Sequence, residues 1–302
     1  GNFNVVANSG IGVAALAVMD ADPDTAEIVL DEAVASLQNG LKGFAGGYHE
    51  GPQYWGYAIQ NLCVFADALT YLTGDDRGIY ASPGVSQTAQ LASYAASPTG
   101  TPYNYSDSNL TAYATPALLR LGTVFADPVA TWVGWRALTT ETINQLGLVW
   151  YLPTAPRKTA GAAGLPLDKY FTGSEVATMR SSWTSEDASY AGFKAASTSG
   201  NWHPQLDAGS FVFSSLGVDW AVELGPDDYS LPGYQDGSPT AQRWNYYRER
   251  SEGNNSIVLN PAANATTEVA AVAPMSTVQS GFDSAFAVAD LTATQPAPVT
   301  SW

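Results

Sequence analysis

His203 is one of only two histidines in 302 residues. It stands in Asn201-Trp202-His203-Pro204-Gln205-Leu206-Asp207-Ala208-Gly209-Ser210-Phe211. Histidine is the side chain that titrates near neutral pH without help. Here it lies between a Ser/Gly turn at Ser197–Gly200 and a strand-like run at Ser210–Leu216. A strand edge holds a ring rigidly and a turn leaves it accessible. A lone histidine serves equally well as a satisfied core residue, so its company decides. Two other polar, aromatic stretches offer company: Asn2-Phe3-Asn4, and Tyr48-His49-Glu50-Gly51-Pro52-Gln53-Tyr54-Trp55-Gly56-Tyr57. Tyr54 and Tyr57 are three apart and share a face at the start of an expected helix. The positive end of a helix lowers a phenol from its ordinary pKa of about 10, which makes an acid–base device. Aromatic packing is the plainer use of the same rings.

The elements that must hold these residues change character along the chain. Residues 10–20 read as a buried helix, and Asp22-Pro23-Asp24 as a turn and cap. Thr25 to Leu41 carries Ile28, Val29, Ala33, Val34, Leu37 and Leu41 at helical spacing. Pro52 to Leu72 forms the next helix, with Trp55, Ile59, Leu62, Val64, Phe65 and Leu69. Further helices are expected at about 84–95, 113–126 and 130–147, joined by an aromatic loop from Pro102 to Asp107. After Pro153–Pro166, a Pro/Ala/Gly-rich linker, the period becomes two. Strands are expected at 176–180, 189–194, 210–216, 219–224, 256–259 and 285–291. Helices first and strands second imply two domains or layers, and a cleft between them is the default site.

Composition narrows the partners. The net charge is −16, with 28 acidic against 12 basic residues, which disfavours nucleic acid and anionic membranes. Cys63 is the single cysteine, so there is no disulfide framework and no cysteine-based metal site. No stretch reaches the roughly 18 apolar residues of a membrane span. The chain opens on Gly1 without Met, and we expect it to be a fragment.

Six segments in order resemble the heparinase II/III-like polysaccharide lyases, a family that includes alginate and heparin lyases. They are Gly-Gly-Tyr-His-Glu-Gly-Pro-Gln-Tyr-Trp-Gly-Tyr at 46–57, Asn-Tyr-Ser-Asp at 104–107 and Val-Ala-Thr-Met-Arg-Ser-Ser-Trp at 176–183. The others are the His203 stretch at 201–211, Trp-Ala-Val-Glu-Leu-Gly-Pro-Asp-Asp-Tyr at 220–229 and Trp-Asn-Tyr-Tyr-Arg-Glu-Arg-Ser-Glu-Gly-Asn-Asn-Ser at 244–256.

The resemblance implies an α+β protein of two domains. Residues 1–152 would be an (α/α) toroid lacking its N-terminal helices, 153–167 a linker, and 168–302 an antiparallel β-sandwich truncated at its end. It implies β-elimination from a uronic-acid polymer in the periplasm or outside the cell. Asn2 would neutralise the uronate carboxylate, Tyr57 would be the catalytic phenol, and His203 the histidine of the sandwich. Asn4 and Tyr54 are the nearest competitors for the first two roles. Glu50, Tyr54, Trp55, Asn201, Tyr229, Tyr234 and Arg248 are the expected substrate contacts. Arg248 and Arg250 would supply positive charge, unless they pair with Glu249 or Glu252.

Zinc-containing relatives use His, Asp and His where this chain has Gln205, Glu223 and Asn254. Amides are poor zinc ligands, so no zinc cofactor is expected; the three are expected close together, most simply as a hydrogen-bond network, with a harder, oxygen-loving cation as the alternative. Two other functions compete with the lyase. A hydrolase needs two carboxyl groups flanking the bond; Glu50 is a candidate acid without an evident partner. A non-catalytic carbohydrate-binding protein would keep the aromatics, with Trp55, Tyr229, Tyr234 and Tyr246 stacking on sugars.

Overall fold

The computed structural model describes residues 1–110, 115–140, 145–195, 203–259, 269, 271–281 and 283–295. The chain forms two compact units, and neither is a single run of sequence. One comprises Gly1–Tyr48, Tyr54–Ser93 and Tyr113–Ala163; the other comprises His49–Gln53, Tyr94–Ala112 and Gly164–Trp302.

Among the described residues there are seven α-helices: α1 (Asn2–Val18), α2 (Pro23–Leu41), α3 (Pro52–Thr73), α4 (Gln90–Tyr94), α5 (Ala117–Val124), α6 (Pro128–Thr140) and α7 (Gln145–Trp150). The start of α2 is set locally. Pro23 occupies the first turn and the Asp22 carboxylate accepts from the Thr25 backbone N–H at 3.3 Å, a cap worth about 1 kcal/mol. Its buried stripe is Ala26, Leu30, Ala33, Leu37 and Leu41. Ile28, expected inside, is 66% exposed, because it lies on the opposite face from Leu30 and Ala33. Within α3, Trp55, Ala58, Ile59, Leu62, Cys63, Phe65, Ala66 and Leu69 are all inaccessible to solvent. Helix α1 comes close to α3 at Gly12, where a Cβ would collide with the Phe65 ring. Asp67 on α3 ties the unit together. It accepts from Arg120 at 2.7 Å, Trp150 at 2.8 Å and Tyr80 at 3.0 Å. Burial pushes the Cys63 thiol up to about 12, so it is unreactive at neutral pH. Among the described residues, no helix is long and apolar enough to cross a membrane.

The second unit holds a five-stranded antiparallel meander in chain order: β1 (Lys169–Phe171), β2 (Val176–Arg180), β3 (Tyr190–Lys194), β4 (Phe211–Ser215) and β5 (Val218–Ala221). A separate hairpin pairs β6 (Met275–Ser280) with β7 (Ala285–Ala289). Alternation sends Val176, Thr178, Tyr190, Lys194, Val212 and Ser214 to one buried face. On the other face, the hairpin packs Met275, Val278, Ala287 and Ala289 against Tyr170, Ala177 and Phe193. The loop Tyr94–Ala112 belongs to this unit. It is bound in by Tyr103, whose hydroxyl donates to the Ser210 carbonyl at 3.2 Å. Its ring fills the space that a side chain at Gly192 would need.

Several expectations need correction. The first helix starts at Asn2, not near residue 10, since nothing in Asn2–Ser9 breaks a helix. The expected helix at 84–95 is a 3-10 turn (Val85–Gln87) followed by the five-residue α4. Residues 256–259 contain no strand; Asn255 instead donates from its side chain to the Phe211 and Val222 carbonyls, both at 2.9 Å. Strands β1 and β6, too short or too polar to show alternation, were not expected.

Candidate active site

The polar centre of the sheet unit is Asp107, which is inaccessible to solvent. Four segments converge on it: the loop Tyr94–Ala112, the turn at 203–210, the stretch at 226–234 and the 3-10 turns between Gln242 and Gly253. Arg243 donates through Nη2 to both Asp107 oxygens, at 2.7 and 2.8 Å. The Tyr229 hydroxyl donates to Oδ2 at 2.9 Å and the Gln205 amide to Oδ1 at 3.3 Å. Nδ1 of His203 lies 3.6 Å from Oδ2, longer than a good hydrogen bond and best read as an electrostatic contact. The two residues are also joined through the backbone, where the Asp107 N–H donates to the His203 carbonyl at 3.2 Å.

Arg243 is buried and nearly saturated. Its Nε and Nη2 donate to the Pro204 carbonyl at 3.1 and 2.7 Å, and Nη1 to the Tyr234 carbonyl at 3.0 Å. The guanidinium lies 4.2 Å from the centre of the Tyr234 ring. Nη2 also meets Glu249 Oε2 at 2.5 Å, and the Tyr234 hydroxyl donates to Oε1 at 2.5 Å. A buried ion survives only when it is paired and its donors are used. One guanidinium facing two buried carboxyls divides them. Burial works to raise the Asp107 pKa, but His203, Arg243 and Tyr229 together hold it below the usual carboxylate range. Burial and the charge on Asp107 push Glu249 up to about 8, against the pull of Arg243. The shared guanidinium thus favours the charged form more on Asp107 than on Glu249.

A second buried pair lies alongside. Lys194, at the end of β3, donates to both oxygens of Asp207 at 2.6 Å and to Ser106 Oγ at 3.1 Å. The Ser106 N–H donates to Asp207 at 3.0 Å. His203, Tyr229, Tyr234 and Tyr246 form a ladder of rings, with successive centroids 6.2, 4.9 and 6.2 Å apart. The first step is nearly parallel, at 8°.

The expected site residues fall into separate groups. His203, Tyr229, Tyr234 and Arg248 belong to the sheet unit. Tyr234 is 1% exposed and packed within the ladder, so it has no open face for a sugar. Arg248 is exposed; it donates to the Leu224 and Pro226 carbonyls and faces Asp227 at 3.6 Å. Arg250 pairs with Glu252 at 2.5 Å. Glu50 is buried in the same unit. Asn201 lies outside the described residues. In the helical unit, Asn2 is buried in the first turn of α1, while Tyr57 on α3 is 51% exposed. Tyr54, one turn earlier, is half-buried. Trp55 is inaccessible, and its indole N–H donates to Thr88 at 2.7 Å; it is a core residue and cannot stack on a sugar.

The expected Gln205, Glu223 and Asn254 network is divided among other partners. Gln205 serves Asp107, as above. The Asn254 amide donates to the Arg248 and Arg250 carbonyls at 3.4 and 2.8 Å. Glu223 accepts the Asn255 backbone N–H at 3.0 Å, and burial pushes it up to about 8. Two amides and a single carboxyl are a poor match for zinc, which takes thiolate, imidazole or carboxylate. Among the described residues, no cluster of three His, Cys, Asp or Glu side chains is arranged to hold a metal.

Asp107, Arg243 and Glu249 were not singled out from the sequence as chemistry. A signal was present: charged residues are only 13% of the chain. A charge set among aromatics, as in Asn-Tyr-Ser-Asp or Gln-Arg-Trp, is therefore a candidate for a buried pair.

Neither family models nor curated proteins match this sequence. Solved structures do. A heparinase III, the BT4657 gene product, aligns over 97% of this chain at 17% identity with a TM-score of 0.59. A heparan sulfate lyase, HepC from Pedobacter heparinus, aligns over 97% at 14% identity and 0.63. Another heparinase III aligns over 97% at 15% identity and 0.64. The chain spans 42–43% of the length of these proteins. Its fold, helices followed by antiparallel sheets, is similar to that of the heparinase III and heparan sulfate lyase structures.

Proposed function

We propose that this chain is part of a polysaccharide lyase that cleaves an acidic, uronic-acid-containing polymer by β-elimination. The observation that carries the reading is the His203–Asp107 pair, held in a buried ionic cluster, within a fold similar to that of heparin-type lyases. We further infer that the helices belong to an (α/α) toroid and the sheets to a β-sandwich, acting in the periplasm or outside the cell.

In the proposed reaction a base removes the proton at C5 of the uronate. The C5–H electron pair becomes the C4–C5 double bond, the C4–O bond breaks, and a proton reaches the leaving oxygen. C5 is acidic enough only when the neighbouring carboxylate is neutralised, the role given to Asn2. Tyr57 and His203 handle the protons, which requires all three to act on one sugar. The exposure of the Tyr57 phenol suits that role. Arg248, exposed where Lys194 and Arg243 are buried in ion pairs, is the basic group to which we assign a substrate carboxylate. Tyr229, half-buried beside His203, is the aromatic contact we retain. We propose that the reaction needs no zinc at Gln205, Glu223 and Asn254. Incubation with a panel of uronate polymers, read by the ultraviolet absorbance of the new double bond, tests the reading. Chain shortening without that absorbance would refute it in favour of hydrolysis.

A further inference from the structure

Resting on the lyase reading for the identity of its ligand, we propose that the surface around Arg157 in the helical unit is a binding subsite for the anionic groups of an acidic glycan. Arg157 and Lys158 supply the charge, and Trp135 and Tyr151 hold the guanidinium in place.

Arg157 is fixed without a counter-charge. Its guanidinium lies 5.3 Å from the centre of the Trp135 ring on α6 and 5.8 Å from that of the Tyr151 ring, just past α7. Its Nη2 donates to the Pro153 carbonyl at 2.8 Å. Stacking on a ring orients a guanidinium while leaving its N–H edge for hydrogen bonds. With 28 acidic residues in the chain, a base readily finds a carboxylate. Among the described residues, Arg77, Arg120, Lys194, Arg243, Arg248 and Arg250 each do; Arg157 and Lys158 do not. Lys158 is exposed, and its N–H donates to the Pro128 carbonyl at 3.0 Å, which sets it at the start of α6. Asp127, beside that start, caps the helix instead, its Oδ1 accepting from the Val129 and Ala130 N–H groups at 2.8 and 3.1 Å.

The surroundings select what carries the anion. Tyr151 and its neighbours in sequence, Leu148, Val149 and Leu152, are exposed. Apolar surface beside a fixed cation suits a sugar acid. The sugar ring presents C–H groups to the apolar surface, and its carboxylate or sulfate takes charge-assisted hydrogen bonds from the guanidinium. A chain of net charge −16 repels a polyanion over most of its surface, so it can hold one only where bases are gathered and left unpaired.

Calorimetric titration of the full chain with oligosaccharides of alginate, polygalacturonate, hyaluronan and heparin tests the site, with maltohexaose as the neutral control. At least one acidic oligosaccharide should bind, less tightly as salt is raised, and maltohexaose should not. Arg157→Gln should weaken that binding about 10-fold, the loss of one charge-assisted contact. Lys42→Gln removes an exposed cation elsewhere in the same unit and should leave binding unchanged. Equal losses in the two variants would reduce the effect to net charge and overturn the site. So would binding that ignores Arg157→Gln, binding to anionic lipid vesicles alone, or no binding of any acidic oligosaccharide. In a preparation that performs elimination, Arg157→Gln should raise KM with little change in kcat, because the subsite holds the chain and not the reacting atoms. Binding that depends on Arg157, without elimination on any uronate polymer, would sink the lyase reading and leave the subsite standing. Elimination with KM and binding unaltered in Arg157→Gln would do the reverse.

Discussion

Glu223 offers a test of the buried electrostatics that needs no substrate. Its side chain is buried, accepts one backbone N–H, and has its pKa pushed from 4.5 up to about 8. Burial is the first cause, with the charge on Asp207 adding to it and Lys194 and the Asn255 N–H opposing it. The folded acid is therefore protonated where the unfolded acid is ionised. Between the two values the folded state binds more protons, so stability falls as pH rises. Each pH unit inside that window costs about 1.4 kcal/mol. Integrated from about pH 5.5 to about pH 7.5, with rounding at both ends, Glu223 alone should cost about 2.5 kcal/mol. Glu223→Gln preserves the shape and removes the titration.

Urea unfolding of both proteins across that range measures the effect. Glu249 has a similarly raised pKa and contributes its own slope, but it does so in both proteins and cancels in the difference. The variant should gain on the wild type by about 2.5 kcal/mol between the two pH values. Parallel stability curves would refute the reasoning, because they would mean that Glu223 is hydrated or ionised in the folded state.

Other perturbations test other parts of the structure. Arg243→Met leaves the Asp107 carboxylate buried without its cation and should cost about 3–5 kcal/mol of stability, read by chemical denaturation; a loss under 1 kcal/mol, typical of a surface pair, would contradict the buried cluster. Tyr57→Phe keeps the ring of a half-exposed side chain, so it should leave stability unchanged. Under the proposed mechanism it should lower turnover by about 10²–10⁴-fold, and retained activity there with loss in Tyr54→Phe would shift the role by one helical turn. Elemental analysis of purified protein should find no stoichiometric zinc, and finding it would overturn our reading of Gln205, Glu223 and Asn254.

What the sequence made legible follows from how far each signal reaches. Helices α2 and α3 were readable because caps and 3.6-residue spacing are local, and strands β2 to β4 because alternation is local. The site is different in kind. Asp107 and Arg243 are 136 residues apart, and no spacing rule connects an acid in an aromatic loop to a base in a 3-10 turn. His203 stood out through its rarity, whereas its partner was one of 28 acidic residues. The aromatic residues misled for a related reason. Trp55 and Tyr234 have the chemistry to stack on sugars, but a ring that packs in a core has the same letter in the sequence as one that faces a ligand. Only the three-dimensional partners, Thr88 for Trp55 and Glu249 for Tyr234, separate the two uses. Position in the sequence alone groups the loop Tyr94–Ala112 with the helices. Its buried tyrosines and Asp107 find their partners on the strands, and those long-range contacts assign it to the sheet unit. A charge in a chain this poor in charge is worth pursuing for the same reason. With only 13% charged residues, an Asp or Arg embedded among aromatics is costly to bury unpaired, so each one implies a partner elsewhere in the chain.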